Sequence, residues 1–581
     1  MRRTHWFTSC VLVLSACAAP AAYSNAPSPQ AASKVSSSPS PQQMPQIVPA
    51  VGDVTVAIVI DQLAAWVAAE RLPLLPETGG FARLRREGTW YKDVRFSHAI
   101  TETAPGHASL YTGTTPNLHG IVANEILRPK PNQGLGYTAS GILVDPSVHI
   151  LAPDGEHDVP GSSAAALQVD VVADHFKSSN PSGKVYSFSL KDRGAIFGGG
   201  HHPDLVLWYD PAAKTFVSST AFIKELPAWI LPAIGRDVID ERIARPWTLL
   251  DAAWVSAHAR SGDDQAGEGN YADYGTVFPH LAQNSKEPYK VYRSNPDSDR
   301  LLLELGILAL DHTSSEAPVL LALSLSANDY IGHLFGPDSW ESWDELRRLD
   351  DALGWFFTEL DKRKGATHWS VVLSADHGIA PLPEMSRASG APQHCEPNRG
   401  TARPCETTVR MASKTLEVVA RNAAKRAIGK GKWIAAVVDP YLYFTSDVKT
   451  LSTERRQSLN QAVVSALSTT PGVSKVFDST VSPKTCPGAS DESLESLVCL
   501  SIRPETGGDY YIALKPGVFF DTGYVPGFGT CHGNVGLYDR SVPVLVRAVG
   551  QVSAARTVTE PGSFELFSQL LKRSLEMRHE Q

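Results

Sequence analysis

The sequence is short of cysteine, of net positive charge and of internal repetition. Only 7 of its 581 residues are cysteine, and none shows the CxxC spacing of a structural zinc knuckle. The formal net charge is −8 and the pI is near 6.1. A protein that binds nucleic acid or anionic lipid is expected to have a clustered excess of Lys and Arg, which this balance does not indicate. Any anion site must therefore be local. For this length we expect one large α/β domain with an insertion, with two packed domains as the alternative.

A hydrophobic run long enough to span a bilayer is missing at the start of the chain. MRRTHWFTSCVLVLSAC at residues 1–17 has a basic start, a short apolar run and small residues before Cys17, the pattern of an export signal. LSAC also resembles the lipobox of bacterial lipoproteins, which would make Cys17 a lipidated N-terminus. Ordinary cleavage after an alanine, with Cys17 discarded, is the alternative. We expect an exported protein of the periplasm or outer membrane that touches the membrane only through Cys17.

The rest of the N-terminal region and the cysteines give further expectations. Residues 18–50 are rich in Ala, Pro, Ser and Gln, which predicts a disordered tether. Beyond the signal, Cys395 with Cys405 and Cys486 with Cys499 would each close a short loop, leaving Cys531 single. Exported proteins can keep disulfides, but sequence does not determine their connectivity, so these pairs are a hypothesis.

Five apolar runs predict the strands of a buried sheet. Their continuous rather than alternating apolarity indicates burial on both faces, with helical stretches between them. We therefore predict an α/β fold with a doubly wound, mostly parallel central sheet flanked by helices. The runs are VTVAIVI (54–60), KVYSFSL (184–190), PVLLALSL (318–325), WSVVLS (369–374) and VPVLVRA (542–548).

A stretch of different character interrupts this pattern. Residues 385–510 contain Pro/Gly/Cys loops, a basic helix and short strands, and we predict a smaller inserted α+β subdomain there. The core then consists of residues 51–384 and 511–581. DYYIALK (509–515) is predicted to return the chain to the central sheet.

Asp and His residues follow several of the predicted strands. Ligands bind at the carboxyl ends of the strands in sheets of this kind, and carboxylate with imidazole suits Zn²⁺. For any one residue a helix cap or a satisfied histidine is the simpler interpretation, but several at one sheet edge favour a metal site. The candidates are Asp61, Asp329, His333, Asp376, His377 and, in the late GTCHGN stretch, His532.

Thr103 in TETAPGHASLYTG has two interpretations. A hydroxyl residue before Ala-Pro predicts a helix N-cap with proline in the first turn. The N-terminal end of a helix also stabilises an alkoxide, and a metal-bound hydroxyl is a nucleophile.

Taken together, the motifs resemble a known family. VIDQ, TAPGHASLYTGTTPNLHGI, DYIGHLFGP, SADHG and GTCHG, in this order, are similar to the alkaline phosphatase superfamily, in the branch of the nucleotide pyrophosphatases/phosphodiesterases and the PafA-type alkaline phosphatases. The resemblance implies two zinc ions: one on Asp329, His333 and His532, the other on Asp61, Asp376 and His377, with Thr103 as its reactive ligand. It also implies a phospho-threonine intermediate. In this family His107 and His119 are not ligands, and Cys531 departs from the usual small polar residue, so its thiol can ligate or oxidise.

Lys191 and Arg193 in SLKDRGAIF distinguish two activities within the resemblance. A surface strand would explain both, but KDR matches the PafA-type phosphatases, in which both residues reach the phosphate, as does Asn124 of GIVANE. We place them on one face of an extended segment, with Asp192 opposite, where they would bind the dianion of a monoester.

The resemblance therefore implies a phosphomonoesterase, acting on small-molecule phosphate esters. A phosphodiesterase or nucleotide pyrophosphatase with the same metals is the alternative. A surface lipoprotein that keeps the fold only for binding is a rival from another class. We expect a monomer, and a simple turn for GGGHHPD (198–204).

Overall fold

The structure is a computed structural model that describes residues 54–130, 136–388, 399–481, 485–488, 490–521, 524–548 and 555–576. The predicted signal, the tether and Cys17 lie outside the described residues, as does Cys395 and hence its predicted disulfide. The predicted disulfide between Cys486 and Cys499 is confirmed. None of the helices in the described part of the chain is long and apolar enough to cross a bilayer.

Strands and helices alternate through most of the described chain. In chain order the strands are β1 Val54–Ile60, β2 Thr89–Arg95, β3 Glu125–Pro129, β4 Tyr137–Gly141, β5 Val144–Ala152, β6 Gly155–Ser162, β7 Lys184–Ser189, β8 Leu205–Asp210, β9 Thr215–Ser219, β10 Val319–Leu325, β11 Trp369–Ser374, β12 Val409–Met411, β13 Ile434–Val438, β14 Tyr441–Phe444, β15 Val473–Asp478, β16 Tyr510–Leu514, β17 Val518–Phe520, β18 Ser541–Arg547, β19 Arg556–Val558 and β20 Gly562–Ser563.

The α-helices are α1 Ala65–Arg71, α2 Gly80–Glu87, α3 Thr103–Thr112, α4 Pro116–His119, α5 Val172–Ser179, α6 Asp192–Gly199, α7 Leu231–Ile234, α8 Arg236–Ile243, α9 Ala252–His258, α10 Pro288–Val291, α11 Pro296–Asp311, α12 Ala327–Phe335, α13 Trp340–Lys364, α14 Pro383–Ala388, α15 Ser413–Ile428, α16 Thr453–Ser468, α17 Leu494–Cys499, α18 Leu537–Arg540 and α19 Glu565–Glu576. Short 3₁₀ helices lie at Leu72–Leu74, Tyr271–Asp273, Ala282–Asn284, Tyr292–Ser294 and Ser446–Thr450.

The central sheet has twelve strands in the order β19-β2-β18-β11-β1-β10-β7-β8-β9-β5-β6, with β20 beside β2. Its middle strands, β11, β1, β10, β7 and β8, are all parallel. Every residue of β1, β10 and β11 is buried, which explains their continuous apolarity. The predicted fold, a mostly parallel sheet flanked by helices, is confirmed. Strand β18 joins the sheet as predicted, but antiparallel to β11.

A second sheet is formed by the region predicted to be inserted together with residues 511–514, which were predicted to belong to the core. Strands β13, β14, β16 and β15 form an antiparallel sheet in that order, and helices α15 and α16 pack on it through Leu416, Leu459 and Val463. The prediction that DYYIALK returns to the central sheet is wrong, because Tyr510–Leu514 is strand β16 of this small sheet. Its neighbours β14 and β15 lie nearby in the chain, and antiparallel pairing with them needs no crossover.

Because the middle strands are parallel, their carboxyl ends meet at one edge of the sheet. Asp61 follows β1, helix α12 follows β10, and Asp376 follows β11. Lys191 comes two residues after β7. Candidate functional side chains that follow four neighbouring strands therefore lie at this edge.

Candidate active site

Thr103 lies at the start of helix α3 and points its hydroxyl at the sheet edge. The predicted N-cap role is wrong: Glu102 is the N-cap residue, with extended backbone (φ −122°, ψ 160°), and Thr103 is the first helical residue. Its hydroxyl is therefore not used for capping. Thr103 is 1% exposed, and its Oγ1 lies 3.2 Å from Lys191 Nζ and 3.5 Å from His377 Nε2.

The first group of candidate ligands surrounds this hydroxyl. His377 Nε2 lies 3.4 Å from Asp61 Oδ1 and 3.4 Å from Asp376 Oδ2. Asp376 and His377 reach one point from adjacent positions because the chain after β11 is irregular, as predicted. This turn requires glycine at position 378, because a β-carbon there would lie only 2.0 Å from the Tyr538 carbonyl oxygen.

The second group comes from helix α12 and the GTCHG loop. Asp329 and His333 are one turn apart on α12, and His333 Nε2 lies 3.2 Å from Asp329 Oδ1. His532 Nε2 lies 3.6 Å from the same oxygen. The imidazoles of His377 and His532 stack with ring centres 3.6 Å apart, so the two groups adjoin.

The tautomers of the three histidines follow from their backbone contacts. Each Nδ1 faces a carbonyl oxygen, which only accepts: Gly378 O at 3.0 Å, Thr530 O at 2.9 Å and Thr101 O at 2.7 Å for His377, His333 and His532 respectively. Nδ1 therefore carries the hydrogen. Whenever such a ring is neutral, its Nε2 lone pair faces a carboxylate, an arrangement that a cation bound between them would stabilise.

The pKa shifts of Asp61 and His377 are consistent with a cation bound between the ligands. Burial, reinforced by the carboxylates of Asp329 and Asp376, raises the pKa of Asp61 well above its usual value. Asp61 Oδ1 accepts no hydrogen bond from the described residues, whereas Lys191 Nζ lies 2.7 Å from Oδ2. Burial also lowers the pKa of His377 to about 3, so its ring stays neutral. Carboxylate and neutral imidazole are the donor types that Zn²⁺ prefers, and this buried set fits divalent cations.

Lys191 and Arg193 reach the site, but not from an extended segment. Strand β7 ends at Ser189, Lys191 is the N-cap residue of α6, and Arg193 lies in the first turn of that helix. The predicted alternation along a strand is therefore wrong. The turn forms because Asp192 accepts the Arg193 backbone N–H at 2.8 Å and the Ser162 hydroxyl at 2.8 Å. Lys191 Nζ still contacts both ligand groups, at Asp61 and Asp329.

Asn124 lies beside the start of α3. Its side-chain Oδ1 accepts a hydrogen bond from the backbone N–H of Ala104 at 2.8 Å. Its backbone N–H donates to Glu102 Oε2 at 2.6 Å. The side-chain oxygen is thus engaged by the helix that carries Thr103. The amide NH₂ is the group left to donate to a phosphate oxygen.

The nucleophile, the candidate phosphate donors and the second ligand group border one cleft of about 320 Å³. Thr103, Asn124, Lys191, Arg193, Asp329, His333 and His532 line it, together with Glu102, Glu125, Gly141, Ser413, Val438, Asp439, Phe520, Asp521, Tyr524 and Cys531. Cys531 places a ligand atom within 4.8 Å of those of His333 and His532.

The predicted supporting histidines do support the nucleophile helix. His107 Nδ1 lies 2.9 Å from both the Thr103 carbonyl oxygen and Asp376 Oδ2, and His107 Nε2 lies 2.8 Å from Ser324 Oγ. His119 contacts Ser109 Oγ at 3.0 Å on the far side of α3. The GGGHHPD stretch connects α6 to β8, where His201 pairs with Asp174 at 2.8 Å.

Sequence reasoning missed Gln62. Its Nε2 donates to Asp329 Oδ1 at 2.7 Å and its backbone N–H donates to Asp376 Oδ1 at 3.1 Å, so one residue bridges the two ligand groups. Its backbone is left-handed (φ 72°), which turns the chain sharply after β1. The only sequence signal was its place beside Asp61 in VIDQ.

A family model described as Type I phosphodiesterase / nucleotide pyrophosphatase matches residues 55–432. The chain belongs to this family. The match spans the segments that carry Thr103, Asn124, Lys191, both α12 ligands and the Asp376-His377 pair, and ends before His532.

Proteins named as alkaline phosphatases are similar over most of the chain. Alkaline phosphatase PafA of Elizabethkingia meningoseptica is 28% identical over 507 residues, 85% of this chain and 86% of its own. Alkaline phosphatase PhoK of Sphingomonas sp. is 30% identical over 506 residues, 84% of this chain and 82% of its own. The crystal structure of wild-type PafA superposes with a TM-score of 0.76 at 26% identity, covering 90% of this chain and 96% of that one. The predicted family is thus confirmed.

Proposed function

We propose that this chain is an alkaline phosphatase that hydrolyses phosphate monoesters at a site for two zinc ions, with Thr103 as nucleophile. One observation carries the proposal: two adjoining groups of Asp and His side chains, the first of which contacts the Thr103 hydroxyl through His377, lie beside the cations Lys191 and Arg193. Similarity to PafA and PhoK over most of the chain supports it.

Asp61, Asp376 and His377 would hold one ion, with Thr103 as a further ligand, and Asp329, His333 and His532 would hold the other. Bound divalent ions lower the pKa of a hydroxyl and neutralise phosphate charge. Gln62 and the backbone carbonyls fix the directions in which the ligands point.

Thr103 then acts as a covalent nucleophile. Its Oγ1, with the proton lost to solvent, bonds to phosphorus as the bond from phosphorus to the ester oxygen breaks. The alcohol leaves with that electron pair and takes a proton from water. Water next attacks the phospho-threonine, releasing inorganic phosphate and restoring the hydroxyl.

Lys191 and Arg193 suit a monoester because it carries nearly two negative charges. Arg193 presents a forked donor and Lys191 a point charge, and Asn124 adds an amide donor. The family also contains diesterases, so a phosphodiesterase with the same ligands is the second candidate. In such an enzyme Lys191 and Arg193 would face a diester phosphate, which carries only one negative charge.

The test compares p-nitrophenyl phosphate with a p-nitrophenyl phosphodiester on zinc-loaded protein, with the metal content measured in the same sample. We expect close to two zinc ions per chain, a higher kcat/KM for the monoester and loss of activity on chelation. A preference for the diester would favour the second candidate. Absence of bound metal, with no hydrolysis of either ester, would reject both.

We also propose that the protein is exported, monomeric and anchored by a lipid at Cys17. The first 17 residues support export, and LSAC supports lipidation. Partitioning of the mature protein into detergent tests the anchor, since a Cys17→Ser variant should remain in the aqueous phase. Light scattering tests the oligomeric state.

A further inference from the structure

The cleft has more acidic side chains than phosphate chemistry requires. Besides Thr103, Lys191 and Arg193, its lining includes four carboxylates that are not candidate ligands: Glu102, Glu125, Asp439 and Asp521. They oppose the binding of an anion, so they call for a separate explanation.

The charges near Thr103 are already balanced without them. With two divalent ions bound, the three ligand carboxylates and the two cations Lys191 and Arg193 would leave three positive charges, which the phosphate dianion and the ionised Thr103 hydroxyl would neutralise. The four additional carboxylates are not needed for this balance. A carboxylate in a partly desolvated cleft favours a cation as its partner.

Asp439 is the most distinctive of the four. It occupies the turn between β13 and β14 of the small sheet, so the inserted region supplies part of the cleft wall. Its Oδ1 is buried and accepts no hydrogen bond from the described residues. Burial, together with the nearby Glu102 carboxylate, raises the pKa of Asp439 well above its usual value.

Two aromatic side chains line the same cleft as Asp439. Phe520 and Tyr524 line it, and the Tyr524 ring centre lies 5.7 Å from that of His333 in the second ligand group. Carboxylates together with aromatic faces recognise alkylammonium groups through ion pairing and cation–π contact.

We propose that the preferred substrates are phosphate monoesters whose leaving alcohol carries an alkylammonium group, held by Asp439 with Glu102 against Phe520 and Tyr524. This inference rests on the proposed phosphomonoesterase activity. The inserted region would then determine which leaving alcohol is preferred, while the residues at the edge of the central sheet bind and hydrolyse the phosphate ester.

The test uses two substrates that differ only in charge. Phosphocholine has a trimethylammonium group, and 3,3-dimethylbutyl phosphate has a carbon in place of the nitrogen. We expect kcat/KM for the cationic ester to exceed that for the neutral ester by about tenfold, the effect of one modest ion pair. This wild-type ratio does not depend on the folding of any variant.

Two variants then locate the effect. Asp439→Asn should bring the ratio of the two kcat/KM values close to one. Asp478→Asn removes the same charge from an exposed position in β15 of the same small sheet, outside the cleft lining, and should keep the wild-type ratio. Equal wild-type rates on both esters, or an unchanged ratio in Asp439→Asn, would overturn the inference and leave the phosphatase activity standing. Hydrolysis of neither ester would overturn both proposals.

Discussion

The two groups of candidate ligands are built in different ways. Asp61, Asp376 and His377 directly follow the adjacent parallel strands β1 and β11, so the register of the sheet places them. Asp329 and His333 depend on helix α12, and His532 depends on a loop more than 150 residues further along the chain. The first group is part of the sheet edge, and the second is assembled by contacts between loops.

Those loop contacts are specific. Thr530 N–H donates to the His333 carbonyl oxygen at 3.0 Å, and Gly529 N–H donates to Gly267 O at 2.7 Å. Gly269 N–H donates to Leu334 O at 2.8 Å. The GTCHG loop and residues 267–269 therefore hold the end of α12. We infer that the second group tolerates perturbation less well than the first.

The largest effect should come from Thr103, whose hydroxyl contacts His377 of the first group. We expect Thr103→Ala to reduce monoesterase kcat at least about a thousandfold, because it removes the attacking atom. Steady-state rates on p-nitrophenyl phosphate measure this. Zinc content should stay close to two per chain, since six other ligands remain. Near-normal turnover in Thr103→Ala would exclude a phospho-threonine pathway.

Removing the two cations should have the next largest effect. We expect Lys191→Ala combined with Arg193→Ala to lower monoesterase kcat/KM by at least about a hundredfold, because loss of one preorganised donor to developing charge already costs this much. Diesterase activity should fall much less, because a diester carries one charge fewer. The ratio of the two activities, with zinc content as a control, gives the answer, and equal losses would contradict the assignment.

The bridging residue Gln62 allows the two groups to be compared directly. We expect Gln62→Ala to weaken the ion at Asp329 about tenfold, the lower end for loss of a supporting contact. The backbone N–H to Asp376 survives the change, so the first ion should be retained. Competition with a graded series of chelators measures the two affinities. Equal weakening of both ions would show that the groups do not differ as described.

Sequence reasoning predicted the residues at the sheet edge better than the features that depend on contacts between distant segments. Buried strands such as β1 and β10 were predicted because both faces are covered and the residues are apolar throughout. Residues directly after those strands were therefore assigned to the edge. The predicted extended geometry of Lys191 and Arg193 is wrong because helix α6 begins at Asp192, which strand alternation does not anticipate.

Other features depend on tertiary contacts that sequence patterns do not contain. Tyr510–Leu514 is as apolar as a central strand, and only its pairing with β14 and β15 assigns it to the small sheet. The left-handed backbone of Gln62 is unusual for a residue with a side chain, and nothing near Asp61 predicts it. The cleft wall at Asp439 requires the small sheet to pack against the core.

The smallest predicted effect concerns alkaline pH and the support of the second group. Glu268 lies between Gly267 and Gly269, is 5% exposed, and has two oxygens without hydrogen-bond partners in the described residues. Burial, with the carboxylate of Glu341, raises its pKa to about 10, against about 4.3 in an unfolded chain. The folded state therefore binds this proton more tightly, and stability falls as the pH rises through that window.

Glu268→Gln cannot ionise, so it should lose less stability than the wild type between pH 7 and pH 10. Melting temperatures over this range measure the difference between the two proteins. We expect a gap of a few degrees that grows with pH and is accompanied by slower release of the second ion. Because the backbone hydrogen bonds of Gly267 and Gly269 lead to the GTCHG loop and the end of α12, the affinity of the first ion should not change. Parallel melting curves at all pH values would show that this carboxyl group does not weaken the second group.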